Sequence, residues 1–289
     1  MFIASLITKP GHLDPTLVDT LRNALGGGSA DWLCPDEAAE FPLQTSPANL
    51  EEIRTSIADM ADLNILPAEN RRKKMLLADM DSTMIQQECI DELAEEAGVG
   101  AHVKDITARA MNGELDFEAA LIERVKLLQG LPESVIDKVV QTRITLMPGG
   151  KTLLDTMHAR GARCVLVSGG FTAFTSRVSA LLGFDEHRAN TLLIKDGKLT
   201  GEVGRPILGR EAKIQALAEI TARQDITEAD VIAVGDGAND LGMLGRAGMG
   251  VALHAKPSVQ AECDLRVNHG DLTALLYLQG YAKSDFIKT

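Results

Sequence analysis

Pairs of aspartates follow two short apolar runs of the chain, at the points where buried strands would end. Asp79 and Asp81 follow the run MLLA, and Asp236 and Asp240 follow the run VIAV. Two carboxylates so close together repel each other unless a cation or a proton separates them. An Asp after a strand often only caps a helix, and Gly, Asn and Asp are ordinary turn residues. Because hard oxygen ligands are what Mg²⁺ prefers, the repeated pairs instead favour a magnesium site.

Ser168 and Lys213 are the other polar residues placed for chemistry. Ser168 follows a third apolar run, CVLV, and precedes Gly169 and Gly170. A hydroxyl beside exposed amides at the start of a helix suits anion binding. A nucleophilic role for Ser168 is disfavoured, because Leu166 stands where a nucleophile elbow needs glycine. Lys213 opens an amphipathic stretch, and this pattern is equally consistent with a solvated lysine and with a site lysine.

The elements that carry these residues alternate between short apolar runs and amphipathic stretches. This pattern predicts an α/β fold with a Rossmann-like parallel sheet covered by helices on both faces. The predicted strands lie at 75–78, 164–167, 231–234 and 249–253, and the predicted helices at 151–160 and 172–182. In open α/β sheets, ligands bind at the carboxyl ends of the strands. Asp79, Ser168 and Asp236 are therefore expected to meet in one crevice.

Two segments interrupt this alternation. Residues 192–199 place an Asp-Gly turn between two strand-like arms, which predicts a β-hairpin. Residues 86–145 contain helical patterns without a convincing strand. Because they follow the first strand of the predicted sheet, we expect them to form a helical cap over the edge of that sheet.

Charge divides the chain near residue 70. Residues 1–70 hold three basic and eleven acidic side chains, a net charge of −8, and residues 71–74 are all basic. We therefore predict a small N-terminal α/β accessory domain at 1–72 and a main domain at 73–289. The predicted elements of the first are a strand at 2–7 and helices at 16–24 and 49–63. Dimerisation, packing and ligand sensing are the roles open to it, so a homodimer is one expected form of the protein.

Composition limits the partners and the compartment. The formal net charge of −12 disfavours nucleic acid and anionic membranes as partners. The apolar start at 1–7 is too short for a signal peptide, and no apolar run approaches the length of a membrane span. The four cysteines lack paired spacing, which is typical of reduced thiols. These features predict a soluble, cytoplasmic protein.

Four motifs, in this order, resemble those of the haloacid dehalogenase-like phosphatases, and within them the phosphoserine phosphatases. The motifs are D-x-D-x-T at 79–83, a second at Ser168–Phe171, a third at Lys213 and a fourth at Gly235–Asp240. The resemblance extends from Met75 to the C terminus. Met80 stands where phenylalanine is usual, an apolar exchange that should be tolerated. Residues 1–70 have no firm match; longer members carry ligand-sensing domains of the ACT type, which leaves an ACT-like domain open for this segment.

The resemblance implies a role for each residue of these motifs. Asp79 is expected to attack phosphorus and become an aspartyl phosphate, while Asp81 protonates the leaving oxygen and later activates water. Ser168 and Lys213 are expected to stabilise charge on the transferring group. The implied ligands of Mg²⁺ are Asp79, Asp236 and the backbone carbonyl of Asp81, with Asp240 supporting this shell and orienting Lys213.

The implied substrate-binding residues lie in the cap and at the sheet edge. Glu88 and Arg124 match positions that face the ammonium and carboxylate groups of the substrate in phosphoserine phosphatases. Taken alone, the two would be interpreted as a surface ion pair. The other implied substrate-binding residues are Met111, Phe117, Ser168, Gly169, Lys213 and Asn239.

The activity that the resemblance implies is Mg²⁺-dependent hydrolysis of O-phospho-L-serine, a small molecule, to L-serine and phosphate. This reaction is the last step of serine biosynthesis. Two alternatives stay open. One is the same chemistry on another small phosphomonoester, including phosphoryl transfer to a second alcohol. The other is a non-catalytic module that senses serine or phosphate, and the intact set of motif residues argues against it.

Overall fold

The N-terminal part of the chain forms a four-stranded antiparallel sheet with two helices. The computed structural model describes residues 1–111 and 114–288, without the side chain of Met111. In chain order the elements are β1 (Phe2–Ile7), α1 (Pro15–Ala24), β2 (Asp31–Cys34), β3 (Ala38–Leu43), α2 (Leu50–Ser56) and β4 (Asp62–Pro67). The sheet order is β2-β3-β1-β4, the βαββαβ arrangement of ferredoxin-like units. The strand at 2–7 and the first helix are as predicted.

The second N-terminal helix is shorter than predicted. It ends at Ser56, because residues 62–67 form β4 and pair with β1 along its whole length. The first helix begins at a capping residue: the Asp14 side chain accepts a hydrogen bond from the backbone N–H of Thr16 at 2.7 Å, and Pro15 occupies the first turn. The second helix does not continue to residue 63 as predicted, because pairing with β1 places residues 62–67 in a strand.

The rest of the chain alternates strands and helices. The strands are β5 (Met75–Ala78), β6 (Arg163–Phe171), β7 (Glu186–Asn190), β8 (Leu192–Lys195), β9 (Lys198–Val203), β10 (Val231–Gly235), β11 (Met249–Leu253) and β12 (Leu265–Val267). The helices are α3 (Cys89–Glu96), α4 (Gly100–Met111), α5 (Phe117–Lys126), α6 (Ser134–Thr142), α7 (Gly150–Ala159), α8 (Thr172–Leu182), α9 (Arg210–Arg223), α10 (Leu241–Arg246), α11 (Pro257–Ala261) and α12 (Ala274–Leu278).

Six of these strands form one parallel sheet in the order β12-β11-β10-β5-β6-β7. Successive side chains of its central strands enter two different cores: Leu76 and Ala78 pack on one face with α7, α8 and α12, while Met75 and Leu77 pack on the other with α9 and α10. Burial on both faces explains why these strands are continuous apolar runs. The four predicted strands, the two predicted helices and the α/β class are confirmed. The edge strands β7 and β12 were not predicted.

Four helices, α3 to α6, lie between β5 and α7 as the predicted cap. The two chain segments that enter and leave the cap run side by side: the N–H of Gln86 donates to the carbonyl of Thr145, and the N–H of Met147 donates to that of Met84, both at 2.9 Å. The predicted hairpin is β8 and β9, and it reaches the cap, because the N–H of Leu199 donates to the carbonyl of Leu131 at 2.8 Å. The cap therefore has a second attachment to the core.

One face of the N-terminal sheet packs on its own helices α1 and α2, and the opposite face packs on the main core. Ile7 and Leu66 belong to the same buried cluster as Tyr277 of α12. The Asn64 side chain bridges the two sheets: its Oδ1 accepts from the N–H of Arg266 at 2.8 Å and its Nδ2 donates to the carbonyl of Arg266 at 2.9 Å. The limit between two domains at residue 72 stays a prediction. Among the residues that the structure describes, no helix combines the length and the apolar character that crossing a membrane requires.

Candidate active site

The carboxyl ends of three neighbouring strands bring predicted site residues together at one end of the parallel sheet. Ala78 of β5 pairs with Val234 of β10 on one side and with Leu166 of β6 on the other. The residues that follow these positions therefore lie side by side. They are Asp79 after β5, Ser168 in the last part of β6 and Asp236 after β10. The crevice predicted from the strand ends is thus present in the structure.

A buried lysine joins two of the aspartates. The Lys213 ammonium, from the first turn of α9, donates to Asp79 Oδ1 and to Asp240 Oδ1, each at 2.5 Å. Its side chain is fully buried. Burial alone would lower the pKa of Lys213, but the attraction of Asp240 and Asp79 outweighs it and raises the pKa. The lysine therefore stays charged, and the interpretation as a site lysine fits better than that of a solvated lysine.

The carboxylates exceed the cations at this edge. Burial, with the repulsion of Asp240, raises the pKa of Asp79 to about 7 in spite of its contact with Lys213. Burial and the nearby carboxylates of Glu88, Asp240 and Asp79 raise the pKa of Asp236 well above its ordinary value. Such groups resist ionisation unless further positive charge is supplied.

The structure places the acids where a divalent cation could supply that charge. One carboxylate oxygen each from Asp79, Asp236 and Asp240 lies within 4.8 Å of the others, and all three residues are buried. Buried carboxylate oxygens with an excess of negative charge fit a hard divalent cation. Both oxygens of Asp240 already have partners, Lys213 and the N–H of Gly237, the latter at 3.1 Å. Asp240 thus holds the Lys213 ammonium, and its role as support for a metal stays a prediction.

Asp81 follows Asp79 by two residues and contacts Ser168. Its Oδ1 accepts from the N–H of Cys89 at 3.0 Å, and the Ser168 hydroxyl donates to its Oδ2 at 3.4 Å. Burial, followed by the charge of Asp79, raises the pKa of Asp81 to about 6. An acid with a pKa close to neutral can both give and take a proton near physiological pH. The carboxylate of Asp81 is not among the three that could share the cation.

The cap closes a pocket over these residues. The pocket is lined by Asp79, Asp81, Glu88, Phe117, Arg124, Gly169 and Asn239, among others. Burial, followed by repulsion from Asp81, raises the pKa of Glu88 to about 8, and Ser82 holds this carboxyl with a hydrogen bond of 2.6 Å. Arg124 is buried, and the described residues show no ion pair between it and Glu88. The interpretation of these two as a surface ion pair is therefore wrong.

Phe117, Gly169 and Asn239 are the other predicted binding residues that line this pocket. The Phe117 ring packs so closely on the sheet edge that a Cβ at Gly169 would come within 2.7 Å of it. The Asn239 Oδ1 is buried and has no hydrogen-bond partner in the part of the chain that the structure describes. The side chain of Met111 lies outside the described residues, so its predicted contact stays a prediction.

A sequence profile of the haloacid dehalogenase-like hydrolases matches residues 76–245, more than half of the chain. The chain belongs to this family. The phosphoserine phosphatase of Streptococcus thermophilus is 46% identical over 200 residues, which cover 69% of this chain and 93% of the relative.

Solved structures of the same family resemble the fold. A haloacid dehalogenase family hydrolase from Salmonella enterica serovar Typhi superimposes with a TM-score of 0.86 at 33% identity, over 96% of this chain and 97% of that one. A phospho-aspartyl intermediate analogue of a phosphoserine phosphatase superimposes with a TM-score of 0.69 at 41% identity, over 71% of this chain and 98% of that one. The first match includes the N-terminal sheet, since it covers nearly the whole chain.

The structure adds a residue to this family site that the sequence did not indicate. Asn190, at the end of β7, is buried, and its Nδ2 donates to the carbonyls of Gly169 at 2.8 Å and Leu208 at 3.0 Å. Its Oδ1 accepts from the N–H of Leu208 at 2.6 Å. Asn190 therefore connects the end of β6, next to Ser168, to the segment that leads into the helix of Lys213. The polar sequence of β7 carried no strand signal that could have placed it.

Proposed function

We propose that this haloacid dehalogenase-like enzyme is a phosphoserine phosphatase, which hydrolyses O-phospho-L-serine to L-serine and phosphate. One observation carries the proposal: a buried aspartate paired with a lysine lies beneath a cap pocket that holds both a buried cation, Arg124, and an acid, Glu88. A substrate with a phosphate, a carboxylate and an ammonium group complements those charges. The phosphoserine phosphatase of Streptococcus thermophilus, 46% identical, supports the same substrate.

The cap residues would read the amino-acid part of the substrate. Arg124 would bind the carboxylate, since a guanidinium can grip it with two parallel hydrogen bonds. Glu88 would face the ammonium group, and that positive charge would lower the pKa of about 8 that Glu88 has in its absence. Phe117 would close the pocket on the side of Gly169, where the missing side chain leaves room for its ring.

Asp79 would act as the nucleophile. One of its carboxylate oxygens forms a bond to phosphorus while the bond from phosphorus to the serine oxygen breaks, which leaves an aspartyl phosphate. Asp81, whose pKa is about 6, gives its proton to the leaving serine oxygen. Asp81 then takes a proton from a water molecule, whose oxygen attacks phosphorus and releases phosphate and the free Asp79 carboxylate.

Four donors would stabilise the transferring group. Lys213 is charged and within 2.5 Å of Asp79. Gly169 and Asn239 line the pocket, and the Ser168 hydroxyl donates to Asp81, which also lines it. The Ser168 hydroxyl, the N–H of Gly169 and the Asn239 amide would therefore be the other three donors. Donors that are fixed before the reaction cost no reorganisation when charge develops, which makes them effective in a buried site.

The ion that these residues would hold is Mg²⁺. Asp79, Asp236 and the backbone carbonyl of Asp81 would bind it, with Asp240 as support, and when bound it would offset the negative charge of the phosphate and of the acids. The oxygen-only donor set supports Mg²⁺ rather than a softer metal.

The remaining proposals concern the context of the enzyme. We infer two domains, an accessory one at 1–72 and a catalytic one at 73–289, and a cytoplasmic role in serine biosynthesis. The four cysteines are buried free thiols, which supports a reducing compartment. A homodimer through the N-terminal domain stays a proposal, to be checked by light scattering.

Phosphate release from four substrates tests this function. With Mg²⁺ present, O-phospho-L-serine should be hydrolysed far faster than phosphothreonine, glycerol phosphate and p-nitrophenyl phosphate. Asp79→Asn keeps the shape of the side chain and should abolish turnover, whereas Asp59→Asn, an exposed matched control, should leave it unchanged. Equal rates on all four substrates would support the phosphatase mechanism but refute the specificity for phosphoserine. No phosphate release from any of them would refute the proposed phosphatase activity and favour a non-catalytic sensing module.

A further inference from the structure

Three helices of the cap meet at the hydroxyl of Thr107. Thr107, on α4, donates a hydrogen bond to Asp91 Oδ1 on α3 at 2.6 Å. The same hydroxyl accepts one from Nη1 of Arg124 on α5 at 3.0 Å. All three side chains are almost completely buried, with 8%, 4% and 5% of the surface of Asp91, Thr107 and Arg124 exposed. No motif or spacing of the sequence analysis singled out Thr107 or Asp91.

The hydroxyl holds Arg124 without neutralising it. A second bond fixes the same guanidinium, because its Nε donates to the carbonyl of Ala120 at 3.1 Å. Among the described residues, no carboxylate lies within ion-pair distance of Arg124. The charges of Asp91 and Arg124 attract each other, but the hydrogen bonds between them run through Thr107. A buried arginine that is held by neutral acceptors keeps its charge and its remaining N–H groups available to an anion from the pocket.

The same bonds also connect the positions of Glu88 and Arg124, the two charged residues that the cap contributes to the pocket. Glu88 is the residue directly before α3, and Asp91 lies in the first turn of that helix. The chain of hydrogen bonds from Asp91 through Thr107 therefore connects the helix that starts at Glu88 to the helix that carries Arg124. A ligand that binds both residues must carry an ammonium and a carboxylate group at matching separation.

We propose that Thr107, with Asp91 behind it, is a positioning residue that directs Arg124 into the pocket and so determines selectivity for phosphomonoesters of α-amino acids. This inference rests on the proposed function, since it deepens the substrate choice of the same site. Thr107 and Asp91 do not line the pocket and are not assigned any contact with the substrate.

The test compares Thr107→Val with Thr107→Ser on two substrates. Valine has nearly the shape of threonine but lacks both hydrogen bonds, whereas serine retains the hydroxyl. O-phospho-L-serine carries the carboxylate, and phosphoethanolamine has the ammonium and phosphate groups without it. Hydrogen bonds to charged groups are strong enough that kcat/KM of Thr107→Val for phosphoserine should fall about 10- to 100-fold, mainly through KM. Its kcat/KM for phosphoethanolamine should change less than about 3-fold, and Thr107→Ser should restore most of the loss.

Other results would overturn the inference. An equal fall for both substrates would show that Thr107 only packs the cap, and no change for phosphoserine would show that Arg124 is directed by something else. Should Thr107→Val not fold, Asp91→Asn replaces it in the test: asparagine still accepts the Thr107 proton, so we expect a smaller fall, confined to phosphoserine. If the wild-type enzyme does not prefer phosphoserine over phosphoethanolamine, the proposed function fails first and this inference with it.

Discussion

Lys213 is the residue whose removal tests the electrostatics of the site most directly. Its ammonium is fully buried between Asp79 and Asp240, at 2.5 Å from each. Lys213→Met keeps the length of the side chain and removes the charge. Breaking a buried ion pair by removing one partner costs about 3–5 kcal/mol, because the other partner is left buried and unpaired. We therefore expect the free energy of unfolding to fall by about that much at pH 8 in the absence of metal.

The cost should depend on pH with a definite sign. The pKa of Asp79 is about 7 in the folded protein, above the value of about 3.9 in an unfolded chain. The folded state therefore binds the extra proton, and the contribution of Asp79 to stability is lost as pH rises through about 7. Without Lys213 this pKa rises further, so the variant takes up its proton at higher pH than the wild type. From pH 8 to pH 6 the folded variant binds this proton throughout, whereas the wild type binds it only below about pH 7. The variant therefore gains more stability, and the cost of Lys213→Met should be about 1.4 kcal/mol smaller at pH 6 than at pH 8.

Urea unfolding followed by circular dichroism, with EDTA at pH 8 and at pH 6, measures the cost of Lys213→Met and its change with pH. Lys138→Met is the matched control: Lys138 pairs with Glu96 at the same 2.5 Å, but its side chain is 59% exposed, so its loss should cost less than about 1 kcal/mol. The double variant Lys213→Met/Asp240→Asn removes one charge of each sign and should recover part of the stability. A Lys213→Met cost equal to that of the control, or one that does not change with pH, would refute the reasoning.

Three further predictions concern the metal, the catalytic acid and the contact between the sheets. Treatment with EDTA should silence phosphate release and Mg²⁺ should restore it, and an enzyme indifferent to the chelator would contradict the metal site. Gly170→Ala would bring a Cβ within 2.5 Å of Asp81 Oδ2. A positioned general acid accelerates the reaction about 10²- to 10⁴-fold, so displacement of Asp81 should lower kcat at least about 10-fold at unchanged thermal stability. A wild-type kcat would show that other residues move to accommodate the new methyl group. Asn64→Leu leaves the N–H and C=O of Arg266 without partners, so urea unfolding should show a loss of about 2–6 kcal/mol with normal kcat, and a loss under 1 kcal/mol would mean that water replaces the amide.

The parts of the fold that the sequence predicted are those whose signal is local. The run at Met75–Ala78 is buried on both faces, so its apolar character alone identifies β5. The hairpin follows from the Asp-Gly turn at Asp196, where a positive φ of 51° is adopted. In contrast, β7 has the sequence EHRAN and lies at the sheet edge, and β12 has only three residues. Their strand character depends on neighbours that are distant in sequence.

The candidate site shows the same division. Asp79, Ser168 and Asp236 were predicted together because the ends of parallel strands must meet. Asn190 and Thr107 could not be predicted, since each acts through hydrogen bonds to groups at least 16 residues away in the chain, and a buried asparagine or threonine has no sequence signature of its own. Residues that support a site are therefore harder to predict than residues that form it.

The charges of the site explain why an acidic protein can bind an anionic substrate. Among the residues that the structure describes, the pocket and the sheet edge hold two cations, Lys213 and Arg124, against a larger number of acids: Asp79, Asp81, Glu88, Asp236 and Asp240. Four of those acids have raised pKa values, because burial and mutual repulsion oppose their ionisation. A phosphate dianion would add to that repulsion, so the acids must first be offset by protons or by a bound cation. A bound cation and a phosphate would therefore be coupled, because both would interact with the same carboxylates.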